Sequence, residues 1–508
     1  MYEELGQTDD TGTERAAQRR CLVYALLIIG ALTLLRIGLL AINPYSLYGD
    51  EAYYWGWSRE LAFGYYSKPP MLAWVIALTT AIGGNGEFWV RLGSPVLYAG
   101  TSLLVFSVAR RLYGPRVALT AGAFFATLPA VFLGSMVIST DAVFLFFWAL
   151  ALRFFIEAIR TDQWRWWLLA GVAGGCGMLS KYTMVIAALS CFLFVVTSAR
   201  LRTRLLSSKV WCGVLVALLL YLPNLLWNAS NHFASYLHTK DNASLEGDLF
   251  HPTELLEFLG AQFGVFGPVV FGFLLVLLVR PWRSFEREED RLLFWFTAPM
   301  LLVICLVAFL SRAHANWAAP STVSATIWVA AILVRGRRRR WLGAALAVNL
   351  VLGLGVYAYH PVAKGLGIEL TSKTDPYKRL RGWRAAGREV ADALRAHPDA
   401  RLLADDRMVL AEMIYYARPL AFDAAKWNPR NRMRDHYDLT TDISEADGQD
   451  FIYVTERTNP EKVQPHFESV HLLKEIRIPL YTDFDRTLNV YHLRTFRGYS
   501  RGDAEESN

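Results

Sequence analysis

Apolar runs about as long as a bilayer is thick recur from Cys21 to about residue 360 of this 508-residue chain. A helix of about twenty residues crosses a hydrocarbon core, where backbone groups find no water and must bond within the segment. Such runs therefore fold as helices. Length alone would suggest about three or four soluble domains. With 54% hydrophobic, 14% aromatic and 19% charged residues, the chain lacks the polar surface to keep that many soluble. From residue 361 the texture turns charged and mixed. The expected fold class is a polytopic α-helical membrane protein with about eleven spans and a C-terminal mixed α/β soluble domain. The expected division is a tail over 1–20, a membrane domain over 21–360 and a soluble domain over 361–508.

Spans are expected at 21–42, 90–110, 116–134, 136–158, 165–180, 182–198, 210–228, 258–280, 291–311, 316–334 and 341–359. Met71 to Ile82 is short and reads as re-entrant or interfacial. The first run lacks a small-residue cleavage site, so it reads as a retained span, not a secretory signal. The five cysteines lie in or beside apolar runs, which argues against a disulfide framework or a Cys-rich metal site.

Arginine sets the orientation. Alternate loops hold Arg15/Arg19/Arg20, Arg110/Arg111/Arg116, Arg160/Arg165, Arg200/Arg202/Arg204/Lys209, Arg280/Arg283/Arg287/Arg291 and Arg335/Arg337/Arg338/Arg339/Arg340. Positive-inside places these loops and the N-terminus in the cytoplasm. An odd number of spans then carries the C-terminal domain outside. The net charge of +7 is explained by these span-flanking clusters, not by nucleic-acid binding.

Two outer loops are longer, 43–89 and 229–257. The first is rich in aromatics: Tyr45, Tyr48, Tyr53, Tyr54, Trp55, Trp57, Tyr65 and Tyr66. Most of these read as an interfacial belt, with a minority, Tyr53 and Tyr54 among them, as candidates to line a sugar site. In the C-terminal domain, Arg401–Ala404 and Phe451–Thr455 read as strands, and Trp383–Arg395 and Met408–Tyr416 as helices. Ile476 to Leu493 reads as strands with a turn near Asp483. That domain shows no metal-ligand spacing and no Gly-rich phosphate loop.

Ionisable residues that have reason to do chemistry gather at the outer ends of the spans. Gly49-Asp50-Glu51-Ala52-Tyr53-Tyr54 is followed by Ser67-Lys68-Pro69-Pro70. Adjacent acids beside a bilayer need a reason. Asp50 either starts a helix over Glu51–Ala62 as its N-cap or serves as a general base for an acceptor hydroxyl. Asp141, in Ser139-Thr140-Asp141, is either a helix-start residue or part of a site. Lys181 either snorkels to headgroups or binds a phosphate. Arg312 and His314, with Asn316 and Trp317, fall at another outer hairpin. Lysine and arginine can hold a phosphate, and a lipid-phosphate leaving group needs that charge more than it needs a nucleophile.

In the order and spacing of Asp50-Glu51-Ala52-Tyr53-Tyr54, Lys68-Pro69-Pro70, Thr140-Asp141-Ala142 and Ser180-Lys181, the chain resembles the GT-C membrane glycosyltransferases. The group in view is the protein O-mannosyltransferases and lipid A aminoarabinose transferases. The resemblance implies transfer of a sugar from a polyprenyl-phosphate donor to an envelope lipid, glycan or protein, with inversion at the anomeric carbon. It makes Asp50 the base, Glu51 and Asp141 positioning acids, Lys68 a donor-phosphate ligand and Lys181 a second candidate for that role. Arg312, His314, Tyr53 and Tyr54 are candidate substrate contacts. Some lipid A transferases carry a glutamate before Lys-Pro-Pro where this chain has Ser67, so no metal and no cofactor is expected. The rival readings are a lipid or glycolipid transporter, which would show repeats and mid-membrane charges, and a scaffold docking through the C-terminal domain.

Overall fold

The computed structural model describes residues 5–243, 249–279 and 287–499. Arg280 and Arg283 of the basic loops, residues 244–248 of the second outer loop and the last residues of the C-terminal domain lie outside them. The chain forms two compact units. One comprises Met1–Ile42, Lys68–Leu72 and Arg91–Tyr359; the other comprises Asn43–Ser67, Ala73–Val90 and His360–Asn508. The first outer loop therefore folds mostly with the C-terminal segment.

The first unit is helical. Six helices are long and apolar enough to cross a membrane: Arg15–Ala41, Glu87–Tyr113, Thr140–Thr161, Ser208–Ser230, Glu288–Leu310 and Arg339–Gly365. Tyr182–Val196, Pro268–Val279 and Ser321–Arg335 are shorter apolar helices of the same unit. Two expected single spans are broken. The 116–134 run is two helices, Pro115–Thr127 and Pro129–Gly134. Pro129 has no N–H to continue the first ladder, and it begins the second helix, where none is needed. The 258–280 run is likewise Pro252–Phe266 and Pro268–Val279. Gly267 separates them at φ +80°, and a Cβ there would fall 1.8 Å from Asn349 Oδ1, so the turn needs glycine.

Small residues let the helices approach. A Cβ on Gly171 would meet the Gly213 carbonyl oxygen at 2.1 Å, so Trp164–Met178 and Ser208–Ser230 touch backbone to backbone. Part of the basic-loop charge is tied up in ion pairs. Glu157 accepts from Arg111 at 2.8 Å and Arg153 at 2.7 Å, and Asp290 accepts from Arg335 at 2.9 Å. Arg111 and Arg335 thus also join neighbouring helices. Arg36, 1% exposed within the first helix, bonds the Ala126 carbonyl and lies 4.4 Å over the Phe132 ring.

The second unit holds a five-stranded sheet of β1 (Arg401–Ala404), β2 (Ala425–Lys426), β3 (Phe451–Thr455), β4 (Phe467–Tyr481) and β5 (Phe484–Phe496). Their order is β2-β1-β3-β5-β4, parallel from β2 to β3 and antiparallel beyond. The β4–β5 hairpin turns at Asp483, as its alternating pattern predicts. Helices Trp383–Ala396 and Arg407–Tyr416 lie where the spacing predicts them. Two-residue β2 is too short to leave a pattern. The unit also takes in helices Gly49–Arg59 and Met71–Gly83 from the first outer loop, apart from Met71–Leu72.

Candidate active site

The aromatics of the first loop do not form an exposed interfacial belt. Tyr53, Trp55, Trp57, Tyr65 and Tyr66 are all buried within the second unit. The Tyr53 hydroxyl accepts the His436 backbone N–H, and its ring sits 4.7 Å from Trp57 and 5.1 Å from Tyr437. Trp55 packs edge-on against Tyr415 at 4.8 Å, and the Tyr66 hydroxyl donates to the Met433 carbonyl. Tyrosine and tryptophan bury large apolar bodies while keeping a polar tip bonded. Facing a sheet domain rather than lipid, that property cements a loop to a domain. Burial, then Asp435 and Tyr437, push the Tyr53 phenol well above its usual pKa, so it stays a neutral hydroxyl.

Helix Gly49–Arg59 presents the two acids differently. Glu51 Oε2 accepts the backbone N–H of Tyr48 at 2.9 Å, closing the helix start. The N-cap expected at Asp50 is instead Tyr48, and Glu51, at the third helical position, reaches back to its N–H. Asp50 instead ion-pairs with Arg407, Nη1 to Oδ1 at 3.0 Å, with each side chain 33% exposed. Arg407 also lies 4.9 Å over the Tyr53 ring. Burial works against its charge, but Asp50, with Tyr53, Tyr54 and Asp435, outweighs this and holds the guanidinium above its usual pKa. Asp406 fixes the position of Arg407 by capping its helix, accepting from Met408 and Val409. Among the described residues no hydrogen bond reaches the second oxygen of Asp50.

The first unit assembles the other motifs. Ser139 caps helix Thr140–Thr161 by accepting the Asp141 N–H at 3.3 Å. Asp141 is therefore a first-turn residue with its carboxylate turned elsewhere. Oδ1 accepts from Lys181 Nζ at 2.9 Å and Oδ2 from Asn316 Nδ2 at 2.5 Å. Lys181 is held by this pair, not extended to headgroups. Met71 N–H donates to the Leu179 carbonyl at 3.0 Å, which ties the Lys68-Pro69-Pro70 segment to the Ser180-Lys181 turn. Lys68 itself is half-buried. Arg312 and His314 are exposed, and His314 lies edge-on to Trp317 at 5.3 Å. Their hairpin contributes Asn316 to the carboxylate instead. Among the described residues no group of three or more His, Cys, Asp or Glu side chains is placed to hold a metal ion.

Sequence reasoning missed Arg407 and the bond of Asn316 to Asp141. Asp406 was the available signal for Arg407: an aspartate just before an apolar helix marks the cap and puts the next residue in the first turn. Which carboxylate it meets, more than three hundred residues upstream, has no local signature.

Comparison with known proteins gives the family. The model of the dolichyl-phosphate-mannose-protein mannosyltransferase family matches residues 67–227. A lipid A galacturonosyltransferase, RgtD of Rhizobium johnstonii, is 32% identical over 421 residues, 81% of this chain and 86% of the relative. The crystal structure of ArnT from Cupriavidus metallidurans in the apo state superposes with a TM-score of 0.63 at 15% identity, covering 92% of this chain and 97% of that one. The same enzyme bound to undecaprenyl phosphate gives 0.60 at 16% identity, with the same coverage. Apolar helices, a small C-terminal sheet and kinship along most of its length make this chain a multi-pass membrane protein of the GT-C superfamily, a glycosyltransferase of the family that includes the Rhizobium enzyme.

Proposed function

We propose that this glycosyltransferase moves a sugar from a polyprenyl-phosphate carrier to lipid A, with inversion, at the outer face of the cytoplasmic membrane. The name of the Rhizobium relative supports the acceptor and makes galacturonate the first sugar to test. The undecaprenyl phosphate bound by the structural neighbour supports the donor class. The basic loops support a cytoplasmic N-terminus and a C-terminal domain outside.

The observation that carries the chemistry is the division of labour between adjacent acids. Glu51 is occupied with the helix start, while Asp50 is one-third exposed, oriented through one oxygen by Arg407 and, among the described residues, unbonded at the other. A carboxylate so held suits a general base. In the proposed step Asp50 takes the proton of the acceptor hydroxyl. The hydroxyl oxygen bonds to the anomeric carbon as the bond from that carbon to the phosphate oxygen breaks. The polyprenyl phosphate leaves with the electron pair, and Lys68 offsets its charge. Asp141 sets the position of Lys181 and Asn316. In this reading fixed cations carry the phosphate charge, without a metal or cofactor.

The test is transfer by purified full-length protein, supplied with a polyprenyl-phosphate-linked sugar and lipid A and read as a mass increase of the lipid. Asp50→Asn should abolish the product at normal expression and membrane insertion. Retained turnover would overturn Asp50 as base, and wild-type protein that leaves lipid A unmodified would overturn the acceptor. An alkaline phosphatase fused after the C-terminal domain should be active if that domain lies outside.

A further inference from the structure

A cavity of about 590 Å³ opens within the second unit, away from Asp50 in its lining. Its walls include Arg384, Arg388 and Arg418, with Glu87, Tyr415 and Tyr416. Arg384 and Arg388 stand four residues apart on helix Trp383–Ala396 and so share one face. Glu87 answers one of the three charges: its Oε1 accepts from Arg384 Nε at 2.8 Å and from the Tyr416 hydroxyl at 2.6 Å. Arg418 is steadied over the Tyr415 ring at 4.1 Å and bonds backbone carbonyls of Tyr415 and Asn85. Among the described residues neither Arg388 nor Arg418 has a carboxylate partner.

Three guanidiniums facing one carboxylate leave a net charge of about +2 in a concave site. Like charges four apart on a helix are mutually destabilising by a few tenths of a kcal/mol, a repulsion that an anion held between them would offset. The fork of a guanidinium matches two oxygens of a phosphate or carboxylate at once. The volume falls in the range of roughly 300–1,000 Å³ typical of small-molecule sites, so an inorganic ion alone would leave most of it to water. A charged group carried on a sugar would fill it.

We propose that this arginine-lined cavity binds an oxyanion of the glycolipid acceptor, a phosphate or a carboxylate, and so anchors the acceptor on the second unit. The inference rests on the glycolipid acceptor proposed above. It gives the C-terminal segment a recognition role separate from the base held by Arg407.

Full-length protein in phosphatidylcholine nanodiscs would be titrated with lipid A, comparing the wild type with Arg388→Gln and with Arg388→Gln/Arg418→Gln. Arg388→Gln lies on an exposed helix face and keeps the test valid if the double variant folds poorly. We expect affinity to fall about threefold or more in the single variant and about tenfold or more in the double, at unchanged donor KM. Inorganic phosphate and free galacturonate should each displace lipid A from the wild type, the stronger competitor naming the group held. Equal affinity of wild type and Arg388→Gln overturns the proposal. So does a loss seen only in discs containing phosphatidylglycerol, which would make the cavity a bilayer-headgroup site. Binding is read without turnover: if lipid A binds through the arginines but receives no sugar, the function proposed above fails while the cavity assignment stands.

Discussion

Each unit holds an aspartate in the first turn of a helix and pairs it with a cation from a distant segment, yet the two are finished differently. Asp141 has both oxygens bonded, to Lys181 and Asn316, and its side chain is 9% exposed. Asp50 has one oxygen on Arg407 and is 33% exposed. A carboxylate with its bonds filled fixes its neighbours; one with an open oxygen beside solvent can take a proton. The same local feature, an acid in the first turn of a helix, is thus filled by partners in one unit and left open on one oxygen in the other, as the proposed base requires.

The sharpest way to break that comparison is to remove the charge of Asp50 and the partner of Asp141 in turn. Asp50→Asn should lower kcat by about 10³-fold or more, in the range lost with a general base, while the thermal unfolding midpoint stays within a degree or two of wild type. Lys181→Met should instead cost stability. It strands Asp141, and breaking a partly buried pair costs about 2–3 kcal/mol, so the melting temperature of purified protein should fall by several degrees. A Lys181→Met protein as stable as wild type would mean that the pair orders nothing.

Arg407 tests the other half of the contrast, with a smaller effect. Arg407→Met should reduce kcat about 10–100-fold, since orientation and charge at Asp50 loosen without the base being lost. Arg407→Lys, which can keep one of its bonds, should recover part of it. A structural role alone would leave kcat unchanged in correctly folded protein. Equal kcat for the Met variant and wild type would reduce Arg407 to a packing residue.

Much of this was readable beforehand, and the unread part has a common cause. Helices, strands and the hairpin at Asp483 follow local patterns of spacing, and so did the ordering of Asp50, Lys68, Asp141 and Lys181. The breaks at Pro129 and Gly267 also had local signals, outweighed in the reading by long apolar runs on either side. What stayed hidden is partnership across the chain. Trp55 on Tyr415, Tyr53 on His436 and Asp50 on Arg407 each join the first loop to the C-terminal segment. Composition suggested lipid as the neighbour of those rings, since aromatics enrich at both bilayer interfaces and buried seams.

The seam also carries the smallest of the expected effects. His436 is packed edge-on to Trp57 at 5.7 Å and Tyr65 at 5.3 Å, and burial lowers its pKa from 6.5 to about 4. Between those values the unfolded chain binds a proton that the folded unit refuses. Stability is therefore full above pH 6.5 and falls as the pH drops toward 4. At pH 5.5 the loss is about 1 kcal/mol, rising to about 3 kcal/mol below pH 4. Asp435, whose carboxyl burial raises, works in the opposite direction, so the effect must be read as a difference between two proteins. His436→Phe keeps an aromatic plane against the same rings and has no proton to gain; among the described residues His436 Nδ1 has no hydrogen-bond partner to lose. Melting followed by tryptophan fluorescence should show the wild type losing more than this variant between pH 7 and pH 5.5. Parallel slopes would mean that the imidazole takes up its proton in the folded seam, and that the seam is wetter than its ring contacts imply.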